Sequence, residues 1–206
     1  MTDKFAELLA TDGVKEVCEL RGKIGFMAYH GGALEEQTDV IASQAAERSG
    51  ASYYGVLQPD DVQWHIPSHE VSPESSPRLK GFIDHVDVVI TIHGFGRRDH
   101  FTAVLLGGQN RELADHIASH LRPRLPEYDV VTDLDRIPKD LRGLHAANPV
   151  NLPRQRGVQI ELPPRIRGSS PIWADWDHRE MVPHMAALID GLADAASLWA
   201  TAPTAR

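Results

Sequence analysis

VDVVITI at 86–92, followed directly by His93-Gly94-Phe95-Gly96, is the stretch that decides the fold. An apolar run of this length, closed by glycine, reads as a strand covered on both faces, the kind found in parallel sheets. KIGFMAY at 23–29 is a second such strand, running into His30 and the pair Gly31-Gly32, and GVQIEL at 157–162 is a third. Residues 38–49 read as a helix capped by Thr38 or Asp39 and stopped by Gly50, with Val40, Ile41 and Ala45 turned inward. Further strands are predicted at 52–57, 102–106 and 128–132, and further helices at 77–85, 111–121 and 180–199. Strands alternating with helices predict a single α/β domain over 1–206, with a mostly parallel mixed sheet and helices on both faces. The segments 58–77 and 138–156 read as long functional loops.

The 206 residues are 42% hydrophobic and 24% charged, which suits one globular domain and excludes wholesale disorder. No apolar run approaches the roughly 20 residues that span a bilayer. The start, MTDKFAELLATDG, is acidic and broken where a secretory signal would be basic and then apolar. The single cysteine, Cys18, has no internal disulfide partner and reads as a buried inert thiol. These features predict a bacterial or phage-type protein that is cytoplasmic or released by lysis, with no membrane partner. The formal charge of −8 argues against nucleic acid, and no basic stripe with interleaved aromatics is present. All of the excess acid lies before residue 91, where 7 basic residues face 15 acids; the remainder carries 14 of each. A polyanionic substrate therefore requires those early acids to face away from the site.

Ligands of open α/β sheets bind beyond the carboxyl ends of the strands. The three best strands deliver His30, His93 and Glu161 to that edge, and Glu35 follows His30 across a glycine turn. Two histidines and a carboxylate form a common catalytic zinc set with a water in the open position. His30, Glu35 and His93 are thus candidate metal ligands, with Glu161 left to deprotonate that water. Glu36 is the alternative to Glu35, although a carboxylate there also suits the start of the following helix. Gly94-Phe95-Gly96 lacks the third glycine of a phosphate-cradling loop.

HGGALEEQT at 30–38, TIHGF at 91–95, LLGGQNRELA at 105–114 and GVQIEL at 157–162 together resemble the phage-type poly-γ-glutamate hydrolase family, over about residues 20–165. The resemblance implies a zinc carboxypeptidase-like fold and cleavage of the γ-amide backbone of poly-γ-glutamate. It implies one zinc ion at His30, Glu35 and His93 and Glu161 as general base. The family's asparagine–arginine pair is broken here: Asn151 is followed by Leu152-Pro153, which passes the carboxylate-binding role to Arg154 or Arg156. His65, opening His65-Ile66-Pro67-Ser68, matches a family segment and is a further substrate-side candidate. Arg97, just after the His93 loop, could also grip substrate carboxylates. The segment 175–206 falls outside the resemblance and reads as a C-terminal packing helix.

The leading expectation is a zinc-dependent amide hydrolase acting on poly-γ-glutamate or a related acidic peptide. One alternative is an amidohydrolase for small N-acyl or N-formyl amino acids; another is an inactive module that binds acidic peptides. The sequence carries no signal for an oligomeric state.

Overall fold

In the computed structural model, which describes residues 3–176 and 180–201, the apolar runs line up as neighbours in one sheet. Its strands are β1 (Lys15–Glu19), β2 (Ile24–Gly32), β3 (Ser52–Gln58), β4 (Val88–Gly94), β5 (Ala103–Leu106), β6 (Asp129–Val131) and β7 (Gly157–Leu162). They take the order β1-β3-β2-β4-β7-β5-β6. The central neighbours β3, β2, β4 and β7 run parallel, as do β5 and β6, while β1 meets β3 and β5 meets β7 antiparallel. The mixed, mostly parallel α/β fold is the expected one.

Side chains alternate across the sheet with the period of two that a strand imposes. Phe26, Ala28, Ile90, Ile92, Val158 and Ile160 pack against helices α2 (Thr38–Ser49), α4 (Arg111–Leu121) and α5 (Pro183–Thr201). Met27, Tyr29 and Val89 point the other way, towards Phe5 and Leu8 of α1 (Lys4–Leu9) and Leu79 and Phe82 of α3 (Pro77–His85). On β7 the same parity puts Gln159 and Glu161 opposite Val158 and Ile160, a point that matters for the site.

Several local readings change. The cap of α2 is Gln37, in the left-handed region at φ 70°, and neither Thr38 nor Asp39 caps it. Their side chains serve the turn before it: Thr38 donates to the Glu35 carbonyl, and Asp39 accepts from the Gly32 amide. Gly50 ends the helix as expected, its amide returning to Ala46 and Glu47. Helix α1 and edge strand β1 are additions. Cys18 lies on that edge strand and is half-buried, not buried, its thiol against the Arg78 carbonyl at 3.7 Å. The C-terminal helix starts at Pro183, a residue suited to a first turn; residues 202–206 of the expected tail lie outside the described residues.

Gly157 is where β7 enters the sheet. A side-chain carbon there would lie 2.0 Å from the Val89 carbonyl oxygen and 2.7 Å from that of Val150, both fixed backbone atoms. Gly157→Ala is therefore expected to lose about 1–3 kcal/mol of stability, measured as a lower urea midpoint. It marks the strand that carries Glu161.

Candidate active site

His30 stands in the last turn of β2, where the pairing with β3 shifts register between Ala28 and Gly31. Such an irregularity re-aims the side chains that follow it. Gly32 permits the turn: its φ is 71°, and a Cβ would meet the Gln58 carbonyl oxygen at 2.3 Å. The Glu35 amide then donates to the His30 carbonyl at 2.9 Å, closing the loop and placing both side chains on one side. His93 arrives on β4, directly opposite Glu161 on β7 in the strand register.

The four side chains converge and are buried. His30 Nδ1 lies 2.9 Å from Glu35 Oε1, and His93 Nδ1 lies 3.2 Å from Glu35 Oε2, which also accepts from the Gly94 amide at 2.9 Å. One ligand atom from each of His30, Glu35 and His93 falls within 4.8 Å of the others. Glu36 points elsewhere: its carboxylate accepts from the Ser169 hydroxyl, and its carbonyl from Arg167.

The far side of each histidine tests whether this set suits a cation. His30 Nε2 is 2.9 Å from the Ile66 carbonyl, which can only accept, so Nε2 carries the proton. Nδ1 then meets the carboxylate oxygen either as the second N–H of an imidazolium or, in the neutral ring, as a lone pair with a cation between the two. Two imidazole nitrogens and a carboxylate are the donors of a three-ligand zinc site. The donor set fits a divalent ion.

Electrostatics sort the two acids. Burial raises the Glu35 carboxyl, but His93 and His30 outweigh it and hold that group well below the usual range. Burial alone lowers the His93 imidazole, and the adjacent Glu35 carboxylate more than reverses that. Glu161 has no such neighbours at contact distance. Burial pushes its carboxyl up to about 7, and Glu35 adds to the rise while His93 and the Gln159 amide pull it back. An anionic ligand thus sits beside a carboxyl poised to exchange a proton near neutrality.

These groups open on a cleft of about 790 Å³. His65 lines it, its ring 4.7 Å from that of His30. Burial lowers the His65 imidazole, so it stays neutral more readily than a free histidine. Arg97 lines it too, ion-paired with Asp140. Three other expected substrate contacts are not in the cleft. Arg154 is exposed and pairs with Asp87 at 3.3 Å, and the Arg156 carbonyl accepts from the Val89 amide. Both residues precede Gly157, at the amino end of β7. Glu161 is four residues on, about 13 Å away at the rise of a strand. Asn151 holds a loop together instead, donating to the Gly143 and His145 carbonyls and accepting from the Gln109 amide. The cleft's other cations come from the loop before Asn148: Lys139 and Arg142 line it, with the His145 ring tilted against that of His69 at 4.9 Å. Of the fifteen early acids, Glu35 alone lines the cleft among the described residues.

The residues missed in the sequence are Tyr29, Asn148 and Gln159, which join the site by hydrogen bonds. A signal was present for one of them. Gln159 is a large polar side chain in the middle of an apolar strand, and a buried amide requires partners.

A family model described as poly-gamma-glutamate hydrolase matches residues 4–174. In three dimensions the chain is similar to a bacteriophage poly-gamma-glutamate hydrolase, with a TM-score of 0.75, 19% identity, and coverage of 92% of this chain and 91% of that one. It is similar to a zinc-free apo form of YNDL at a TM-score of 0.72 and 18% identity, covering 88% of each chain. A putative carboxypeptidase from Burkholderia mallei shares the fold at a TM-score of 0.53 and 12% identity, over 95% of this chain and 67% of that one. No curated protein sequence matches the chain.

Proposed function

The chain belongs to the poly-gamma-glutamate hydrolase family and is a hydrolase, and on that premise we propose that it cleaves γ-glutamyl amide bonds of poly-γ-glutamate or a related acidic peptide. His30, Glu35 and His93 would hold one zinc ion, and Glu161 would act as general base. The observation that carries this reading is the pair of histidine Nδ1 atoms converging on one carboxylate, beside a second buried carboxyl pushed up to about 7.

A bound zinc ion would polarise the scissile carbonyl and acidify the attacking water. Glu161 takes the proton of that water and returns it to the leaving amine nitrogen, completing amide cleavage. The Gly94 amide, donating to Oε2, keeps Glu35 oriented as an anion. Arg97 and Lys139, on the cleft wall, meet the carboxylates that every residue of the polymer carries. Among the described residues only Glu35 of the early acids reaches that wall, where Glu35, Asp140 and Glu161 balance Arg97, Lys139 and Arg142, and a bound divalent ion would tip the site towards a polyanion.

Metal analysis of the purified protein, paired with mass spectrometry of a poly-γ-glutamate digest, tests the reading. One zinc per chain and a ladder of γ-glutamyl oligomers are expected. A protein that binds no metal and leaves the polymer intact, yet turns over N-acyl-glutamate, would sink it. Arg97→Ala and Lys139→Ala should each raise KM for the polymer about threefold to tenfold with little change in kcat. The difference from wild type should shrink as salt is added.

A further inference from the structure

Behind the candidate metal ligands and the candidate base runs a continuous line of buried polar groups. His93 Nε2 is 3.0 Å from the Tyr29 hydroxyl oxygen, which is 3.4 Å from Asn148 Oδ1. Asn148 Nδ2 is 2.8 Å from Gln159 Oε1, and Gln159 Nε2 is 2.8 Å from Glu161 Oε1. All five side chains are at most 4% exposed.

The direction of this line follows from one backbone atom. The Val150 amide, which can only donate, lies 3.2 Å from Asn148 Oδ1 and identifies that atom as the carbonyl oxygen. At its 3.4 Å contact with that oxygen Tyr29 is the donor, and Asn148 offers its NH₂ to Gln159. The Gln159 oxygen accepts, leaving its NH₂ for Glu161. With its proton directed along that contact, the Tyr29 hydroxyl is left to accept from His93, the arrangement in which His93 carries its proton on Nε2. Its Nδ1 is left with the lone pair that faces Glu35.

We propose that Tyr29, Asn148 and Gln159 are positioning residues that form a one-way hydrogen-bond chain, presenting the His93 Nδ1 lone pair to the metal at one end and aiming an N–H at the Glu161 carboxylate at the other. The inference rests on the roles proposed above for His93 and Glu161. Asn148 is the pivot of the chain: it follows the cleft-wall loop, and its side chain caps the turn Pro149–Asn151. Gln159 is held in place by Gly143, where a Cβ would come within 2.8 Å of the Gln159 amide carbon. Asn151 secures that same glycine by donating from Nδ2 to the Gly143 carbonyl at 2.8 Å. The chain thus ties the two halves of the site to one loop.

The ends of the chain can be cut separately. Tyr29→Phe keeps the ring and removes the acceptor of His93; Gln159→Met keeps the length and removes the donor to Glu161. Zinc affinity of the metal-free proteins is read by competition with a chromophoric chelator, and kcat and KM on poly-γ-glutamate at saturating zinc. Tyr29→Phe should weaken zinc binding about 10- to 100-fold, with kcat near wild type once zinc is saturating. Gln159→Met should lower kcat about 10- to 100-fold, with KM and zinc affinity unchanged. Asn148→Ala should lower both, and adding Gln159→Met to it should reduce kcat no further than Gln159→Met alone, since one chain is cut twice. Folded Tyr29→Phe and Gln159→Met proteins that keep wild-type zinc affinity and kcat would overturn the chain. So would losses that multiply in the double variant, the mark of separate packing defects. A wild-type protein that binds zinc but does not cleave the polymer would count against the proposed function alone, and the Tyr29→Phe affinity would still judge the chain.

Discussion

Glu161→Gln should leave a protein that takes up zinc like wild type and hydrolyses poly-γ-glutamate about 10²- to 10⁴-fold more slowly. The substitution keeps the shape of the side chain and removes only its capacity to take a proton. Because the three proposed ligands lie on β2, the following turn and β4, while Glu161 lies on β7, the ligand cage is untouched. KM should change little, since the residue faces the attacking water and not the substrate carboxylates. Steady-state rates beside metal content decide it. A Glu161→Gln enzyme that holds zinc and cleaves normally removes the general-base role.

The same variant, freed of metal with a chelator, should show a second large effect, on stability. Glu161 is a carboxyl whose folded-state value, about 7, lies above its ordinary 4.5. The folded protein therefore binds this proton more tightly than the unfolded chain. By linkage, its contribution favours the native state below about pH 4.5, declines as pH rises, and levels off above about pH 7. The difference between these values corresponds to about 3 kcal/mol. A glutamine does not titrate. Between pH 4.5 and 8, wild type should thus lose about 3 kcal/mol relative to Glu161→Gln, read from urea unfolding of the two chelated proteins at each pH. Glu35 works in the opposite sense, its carboxyl held low by His93 and His30, and it is common to both proteins. Parallel pH curves would show that Glu161 is not buried as an acid.

Much of this was legible in the chain because parallel strands buried on both faces are written as unbroken apolar runs. VDVVITI, KIGFMAY and GVQIEL announce themselves, and whatever follows them must stand at the carboxyl edge; His30, His93 and Glu161 are found there. Strand β1 was not legible, since KEVCE has neither an apolar run nor a clean alternation and is recruited only by pairing with β3. The misplaced arginines have a geometric cause. Arg154 and Arg156 stand close to Glu161 along the chain, but they precede Gly157, where β7 begins at the end remote from the cleft. The chain from His93 to Glu161 was hidden for another reason: it joins residues from β2, β4, a loop and β7, and no spacing in a linear sequence expresses which amide faces which hydroxyl. Only Gln159, polar among apolar neighbours, hinted that something buried needed a partner.

The central trio β2, β4 and β7 has one more consequence. Spacing between neighbouring strands is set by backbone hydrogen bonds, and two of the proposed ligands and the proposed base ride on three adjacent strands. Their separation is thus a property of the sheet, whose core is assembled from Ile90, Ile92, Val158 and Ile160 regardless of any ion. Zinc fingers fold and unfold with their metal; here loading and stripping are expected to be local and repeatable. Cycles of chelation and refilling should return the same occupancy each time, with the far-ultraviolet circular dichroism unchanged throughout.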